Sequence, residues 1–237
     1  MVYKKLSILA IDDDALILRL MRSILESEGY KVFTASNGKL GLDVFEREVP
    51  NLIILDIMMP GIDGYTVCQR IRESSQVPII MVTARGNEEE KIKGFERGTD
   101  DYLTKPFSVK ELVARVKSVL RRSRFGDTIV TQPILRSGDL EIDFTQRSVT
   151  VAGSTVNLTP TEYNLLQELV INRGRALTHT YLLQKVWGPE YLRETEYLHV
   201  FIGRLRRKLQ LDSQAQNYIL TLPGVGYQFK EATQATT

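Results

Sequence analysis

The sequence predicts an α/β protein in two parts: an open, doubly wound parallel sheet of five strands, then a second, smaller α+β domain. Three observations carry this expectation. Up to about residue 122, short continuously apolar runs alternate with amphipathic ones. From about residue 138, short strand patterns, tight turns and helical patterns replace them. A length of 237 residues also points to two domains rather than one.

In the first part the strand candidates are Leu6–Ile11, Lys31–Ala35, Leu52–Leu55, Ile79–Val82 and Tyr102–Thr104. The helical patterns are Ala15–Ser27, Lys39–Glu48, Tyr65–Glu73, Glu89–Arg97 and Val109–Arg121. Runs such as Ile53-Ile54-Leu55 and Ile79-Ile80-Met81-Val82 are apolar at consecutive positions, the pattern of a strand covered by helices on both faces. Five βα units in succession imply a parallel sheet whose ligand site lies beyond the carboxyl ends of its strands. In the second part Leu140–Asp143, Ser148–Val151 and Thr155–Leu158 read as strands, the last two joined by a hairpin at Ala152-Gly153-Ser154. Helical patterns follow at Thr161–Asn172, Tyr181–Trp187 and Glu194–Leu209. A closing hairpin pairs Tyr218–Leu222 with Tyr227–Lys230 across Pro223-Gly224-Val225-Gly226. Charges, Gly126, Asp127 and Pro133 mark Arg121–Arg136 as the connecting stretch, so the expected domains are 1–122 and 136–231, with 123–135 as linker.

An apolar share of 43% and a charged share of 25% exclude disordered, collagen-like and coiled-coil chains. The longest uncharged runs, such as Ser74–Ala84, fall short of the roughly 18 apolar residues of a membrane span. Leu6–Ile11 is too short and too quickly followed by acids for a secretory signal, so no membrane partner is expected. The single cysteine, Cys68, lies in an apolar-periodic stretch and fits a small buried side chain in a reducing cytoplasm. Net charge is only +2, yet residues 203–208 read Gly-Arg-Leu-Arg-Arg-Lys, a local concentration of cations.

Asp12, Asp13 and Asp14 follow the first strand and Asp56 ends the third, positions that share one edge of a parallel sheet. Two carboxylates about 4 Å apart repel by about 4 kcal/mol at an effective dielectric near 20, so a proton or a cation must neutralise such a group. Oxygen donors with no histidine or cysteine nearby favour Mg²⁺ or a similar hard ion such as Mn²⁺. Asp14 is the expected cap of the first helix, which leaves Asp56 without a capping role. The next two strand ends carry Thr83, a hydroxyl donor, and Lys105, an ammonium, both suited to phosphoryl oxygens. An aspartate can also be the nucleophile that forms an aspartyl phosphate.

These residues stand in four segments: Ile8-Leu9-Ala10-Ile11-Asp12-Asp13-Asp14, Leu55-Asp56-Ile57-Met58-Met59-Pro60-Gly61, Thr83-Ala84-Arg85 and Asp100-Asp101-Tyr102-Leu103-Thr104-Lys105-Pro106-Phe107. Together they resemble the receiver domain of two-component response regulators, with its flavodoxin-like (CheY-like) fold, over the whole first half. The resemblance implies that Asp56 accepts a phosphoryl group from a sensor histidine kinase. It further implies that Asp13, Asp56 and the carbonyl of Met58 bind Mg²⁺, with Asp12 acting through water, and that Thr83 and Lys105 hold the phosphoryl oxygens. Lys105–Pro106 is then a cis peptide, Tyr102 an aromatic switch turning inward with Thr83, and Met58 and Arg85 flank the path of attacking water. In the OmpR/PhoB subfamily, charged positions cross-pair in a symmetric active homodimer. The matching pairs are Lys91–Glu111, Asp101–Arg115 and Glu96–Lys117, with Asp100 on the same face. That face joins the helical pattern Glu89–Arg97, the fifth strand and the helical pattern Val109–Arg121.

On Glu194–Leu209 an apolar stripe of Leu198, Ile202, Leu205 and Leu209 leaves His199, Gly203, Arg206 and Arg207 on the other side, with Arg204 on the flank. Such a helix suits the major groove of double-stranded DNA. With Leu158-Thr159-Pro160-Thr161-Glu162-Tyr163, Val186-Trp187-Gly188, Leu205-Arg206-Arg207-Lys208-Leu209 and Gly224-Val225-Gly226-Tyr227, it resembles the winged-helix effector domain of OmpR/PhoB regulators. Tyr197 to Arg204 leans toward that family's potassium-responsive branch. The resemblance implies a phosphorylation-activated transcription regulator, not a free-standing enzyme. It would contact promoter DNA through His199, Gly203, Arg204, Arg206, Arg207, Lys208 and Thr221, dimerise when phosphorylated and meet RNA polymerase. Thr159, Thr161 and Glu162 start a helix, either by simple capping or with a first turn that touches phosphate, while Trp187 and His179 fit core or surface positions. Pro223 opens the wing turn where some members carry an arginine, which argues against minor-groove contact. Two rival readings stay open. One is a haloacid-dehalogenase-like phosphohydrolase with Asp12 as nucleophile and Asp14 as acid, which has no use for Asp56 or a winged helix. The other keeps the receiver and makes the second half a protein-binding module.

Overall fold

The computed structural model describes residues 5–84, 97–123, 133–209 and 218–230. The chain forms two compact units, Met1–Arg124 and Phe125–Thr237. Of the expected features, the helical pattern at 89–97 (apart from Arg97), with Lys91 and Glu96, and Arg85 and most of the linker lie outside the described residues.

In the first unit, β1 (Ser7–Ile11), β2 (Lys31–Ala35), β3 (Leu52–Asp56), β4 (Ile79–Thr83) and β5 (Asp101–Thr104) form a parallel sheet in the order β2-β1-β3-β4-β5. The consecutive apolar residues of β3 and β4 are buried at every position, because α1 (Ala15–Ser27), α2 (Gly38–Glu48), α3 (Gly64–Ser74) and α4 (Val109–Ser123) shield the sheet. One core joins Ile8, Ile54 and Val82 of the strands to Leu25 of α1 and Leu112 and Val116 of α4, each such side chain contributing about 1.5–3 kcal/mol by leaving water. The helices start where sequence chemistry provides acceptors. Asp14 takes the Leu16 N–H at 2.8 Å, Asn37 the Leu40 N–H at 2.9 Å and Asp63 the Thr66 N–H at 2.7 Å.

Strand order reverses between β1 and β3, so the loops after these neighbours part and open a crevice at the carboxyl edge. Register then fixes the edge: Ile11 lies opposite Leu55, Asp56 opposite Val82 and Thr83 opposite Thr104. Gly64 lets α3 close over the end of β3, since a Cβ there would overlap the Asp56 carbonyl oxygen.

The second unit opens with an antiparallel sheet of β6 (Ile134–Ser137), β7 (Leu140–Asp143), β8 (Ser148–Val151) and β9 (Ser154–Thr155). Ile134 and Leu135, assigned by composition to the linker, instead open β6 and pair with Asp143 and Ile142. The β8–β9 hairpin turns through Ala152 (φ 49) and Gly153 (φ 78). The strand expected at Thr155–Leu158 stops early, because Thr159 already caps α5 (Pro160–Ile171). After it come β10 (Leu177–Thr178), α6 (His179–Val186), a 3₁₀ turn (Pro189–Tyr191) and α7 (Thr195–Leu209). The closing hairpin of β11 (Ile219–Leu222) and β12 (Gly226–Phe229) pairs with β10 into a three-stranded sheet. Trp187 and Phe201, both fully buried, meet at 5.2 Å between ring centres and knit α6 to α7. Two residues of β10 are too few to show a period, which is why the sequence does not reveal it.

Candidate functional site

At the carboxyl edge of the five-stranded sheet, single ligand oxygens of Asp12, Asp13 and Asp56 lie within 4.8 Å of one another. Asp12 and Asp56 are buried, Asp13 exposed. Lys105 reaches in from the end of β5 and bridges two of them, its Nζ 2.7 Å from Asp12 Oδ2 and 2.8 Å from Asp56 Oδ1. The other Asp12 oxygen accepts the Asp14 N–H at 3.0 Å. Asp14 points its own carboxylate at the first turn of α1, so it caps that helix as expected and does not stand with Asp12 as an acid–nucleophile pair.

Three carboxylates against one ammonium leave an excess of negative charge. Burial raises the Asp56 pKa above the ordinary aspartate value, and the Asp12 charge adds to that. Lys105 and the Met58 N–H pull it back without cancelling the rise. For Lys105 burial favours the neutral amine, but Asp12 and Asp56 outweigh it and hold the pKa above the usual lysine value, keeping an ammonium in place. An all-oxygen, carboxylate-rich donor set with a remaining charge deficit fits a hard divalent ion.

Thr83 ends β4 at 2% exposure, its carbonyl accepting the Lys105 N–H at 2.7 Å, and Lys105–Pro106 is cis. Met58 is exposed beside Asp56. Tyr102 lies inward at 1% exposure, and burial raises its phenol pKa above the ordinary value. Cys68 is buried, as its apolar setting predicts.

Among the described residues, the charged groups expected on the dimer face are engaged within the chain. Asp101 is buried and meets Arg115 at 2.9 Å and Arg122 at 3.4 Å; Arg115 also reaches Glu111 at 3.3 Å, and Lys117 reaches Glu28 at 2.7 Å. Asp100, also expected on that face, is instead fully buried, accepting from Arg72 and from the Ile79 N–H, both at 3.0 Å. Sequence reading missed Arg72 and Arg122. Arg72 also donates to the carbonyls of Gly98 and Val77, and backbone acceptors leave no signature in a sequence.

On α7 the expected stripe of Leu198, Ile202, Leu205 and Leu209 is buried, and Tyr197, Phe201 and Arg204 join it. Arg204, expected on the flank as a DNA contact, is instead turned inward. At 4% exposure it pairs with Glu162 of α5 at 2.7 Å, and Lys208 binds the other Glu162 oxygen at 2.7 Å. Burial would raise the Glu162 pKa, but Arg204, Lys208 and the Thr159 N–H prevail and hold it below the usual glutamate value. Thr159 and Glu162 form a reciprocal capping box, so this helix start is capped by its own side chains. Arg206 donates to the Ile219 carbonyl at 2.7 Å and to Thr221 Oγ1 at 2.8 Å, fastening α7 to the wing hairpin. Arg207 and His199 stay exposed, with Gly203 between them on the same face.

A family model described as the response regulator receiver domain matches residues 8–117, and one described as transcriptional regulatory protein, C terminal, matches residues 153–229. The "Probable transcriptional regulator ycf27" of Galdieria sulphuraria is 44% identical over 96% of this chain and 91% of its own length. The "Sensory transduction protein RegX3" of Mycobacterium bovis is 38% identical over 94% of this chain and 99% of its own. Among solved structures, the Thermotoga maritima response regulator DrrB, described as an OmpR/PhoB homologue, is 33% identical, covers 96% of this chain and 100% of its own, and has a TM-score of 0.52. An acidic, lysine-bridged sheet edge, a winged-helix unit and relatives aligned nearly end to end lead to one conclusion: the chain belongs to the OmpR/PhoB family of response regulators and is a DNA-binding transcriptional regulator.

Proposed function

We propose that Asp56 is the phosphoacceptor of this regulator and that a sensor histidine kinase supplies the phosphoryl group. The bridging of Asp12 and Asp56 by Lys105 carries the reading, because it puts a fixed ammonium against the carboxylate that would become esterified. In the transfer an Asp56 oxygen attacks phosphorus as the bond to the kinase imidazole nitrogen breaks. Lys105 and Thr83 meet the phosphoryl oxygens, and the receiver takes part in the transfer to its own aspartate and in the slow hydrolysis of the aspartyl phosphate. Asp13, Asp56 and the Met58 carbonyl would hold Mg²⁺ or Mn²⁺, with Asp12 acting through water, and the ion when bound offsets the charge of the arriving phosphoryl group. Tyr102, inward against the same sheet edge, would report the state of Thr83 to the face formed by β5 and α4.

Phosphorylation then favours a homodimer in which Asp101, Glu111, Arg115 and Lys117 exchange partners within the chain for partners in a second copy. Lys91 and Glu96 complete that face by resemblance, and Asp100 is left out because Arg72 holds it inside. On the effector side Arg207, His199, Gly203 and Thr221 face promoter DNA, while Arg204, Arg206 and Lys208 fix the position of α7. RNA polymerase is the partner a promoter-bound regulator would engage, and the cytoplasm is where kinase and promoter meet. Among the described residues no helix is long and apolar enough to cross a membrane.

The test is phosphate incorporation from a radiolabelled small-molecule phosphodonor with magnesium present. Wild type takes up label and shifts toward dimer on gel filtration, whereas Asp56→Asn does neither while keeping the wild-type circular dichroism spectrum. Normal labelling of Asp56→Asn would refute the assignment.

A further inference from the structure

Gly203 occupies the middle of α7, where glycine weakens a helix more than any residue except proline. Nothing among the described residues asks for it. Every other described glycine either has a positive φ or would drive a Cβ into a neighbour, such as Ile11 at Gly41 or the Asp56 carbonyl at Gly64. A Cβ on Gly203 would meet nothing within 4 Å. The residue therefore leaves a notch on the open face of the helix, one turn from His199 on one side and from Arg206 and Arg207 on the other. That is the face assigned above to DNA, and the present inference rests on that assignment.

The chemistry of the notch selects what enters it. Inside a helix the Gly203 N–H belongs to the helical hydrogen-bond ladder, so the notch has no donor for a phosphate and no acceptor for an exocyclic amine. It presents only the two Cα hydrogens. The major-groove group that fits a shallow, apolar, uncharged dent is the 5-methyl of thymine. We propose that Gly203 is a specificity-determining residue that admits a thymine methyl against the backbone of α7, while His199 and Arg207 flank it.

The experiment uses the full chain with a phosphodonor to enrich duplexes from a random-sequence pool, then measures binding of an enriched duplex by Gly203→Ala and Gly203→Leu. Gly203→Ala should melt at higher temperature than wild type, since alanine suits a helix interior better than glycine and its Cβ meets nothing within 4 Å. Both variants should bind the enriched duplex more weakly, Ala by about tenfold and Leu by more, in the range of one unfavourable base contact. Replacing thymines one at a time by deoxyuridine, which lacks the methyl, should restore most of the Ala variant's loss at a single position. Unchanged binding by both variants, a fall in the Ala variant's melting temperature, or loss that no deoxyuridine position restores would each overturn the proposal. If wild type enriches no sequence, the DNA-facing assignment of this helix fails and takes the proposal with it; the three outcomes before that leave the assignment standing.

Discussion

Lys105 answers two buried carboxylates with one charge, and Asp56 is left with a raised pKa as the residual cost. An acid whose folded pKa is raised binds its proton more tightly folded than unfolded. Its contribution favours folding in acid and is lost as pH rises from the ordinary aspartate value through the raised one. Asp56→Asn removes that penalty, so at neutral pH the variant should be more stable than wild type by about 1 kcal/mol. The gap should close below the ordinary aspartate range, and urea titrations across pH measure it; a gap that stays constant would mean the charge is not its source. The aspartates themselves are legible in the sequence, because each follows an apolar strand. Their mutual distance is not, since it depends on β1 and β3 being neighbours in space although β2 separates them along the chain.

Among the elements, α3 and β5 are tied through Arg72, whose guanidinium meets Asp100 and the carbonyls of Gly98, Ser75 and Val77. Asp100 is fully buried, so removing Arg72 strands its charge. Arg72→Ala should cost about 3 kcal/mol in the receiver's urea transition, with its slope unchanged. A double-mutant cycle with Asp100→Ala should return a coupling well above the few tenths expected of independent sites. Periodicity and caps disclose α1 with the observed bounds, Ala15–Ser27, because one helix carries all the information needed. Arg204 shows where such reasoning stops. A helical wheel puts it beside the apolar stripe of α7, but only the fold brings Glu162 from α5 to meet it. A buried cation thus looks, along the sequence, like one more member of a basic run.

At the scale of the whole molecule, the basic run of α7 separates into cations that hold the domain together and a cation open to a partner. Arg207→Ala should lower the slope of log affinity against log salt by about 0.9, one phosphate contact, with little change in stability. Arg204→Ala should destabilise the effector unit in thermal melting and leave that slope alone; the opposite pattern would mean the guanidinium leaves Glu162 for DNA. The internal engagement of Arg204, Arg206 and Lys208 has a larger consequence. With three of its four cations engaged inside the domain, α7 itself would add little to binding of random sequence, which rests on neutralising phosphates. In the proposed homodimer two copies side by side would add their separate affinities through effective concentration, so that control over pairing would become control over promoter occupancy.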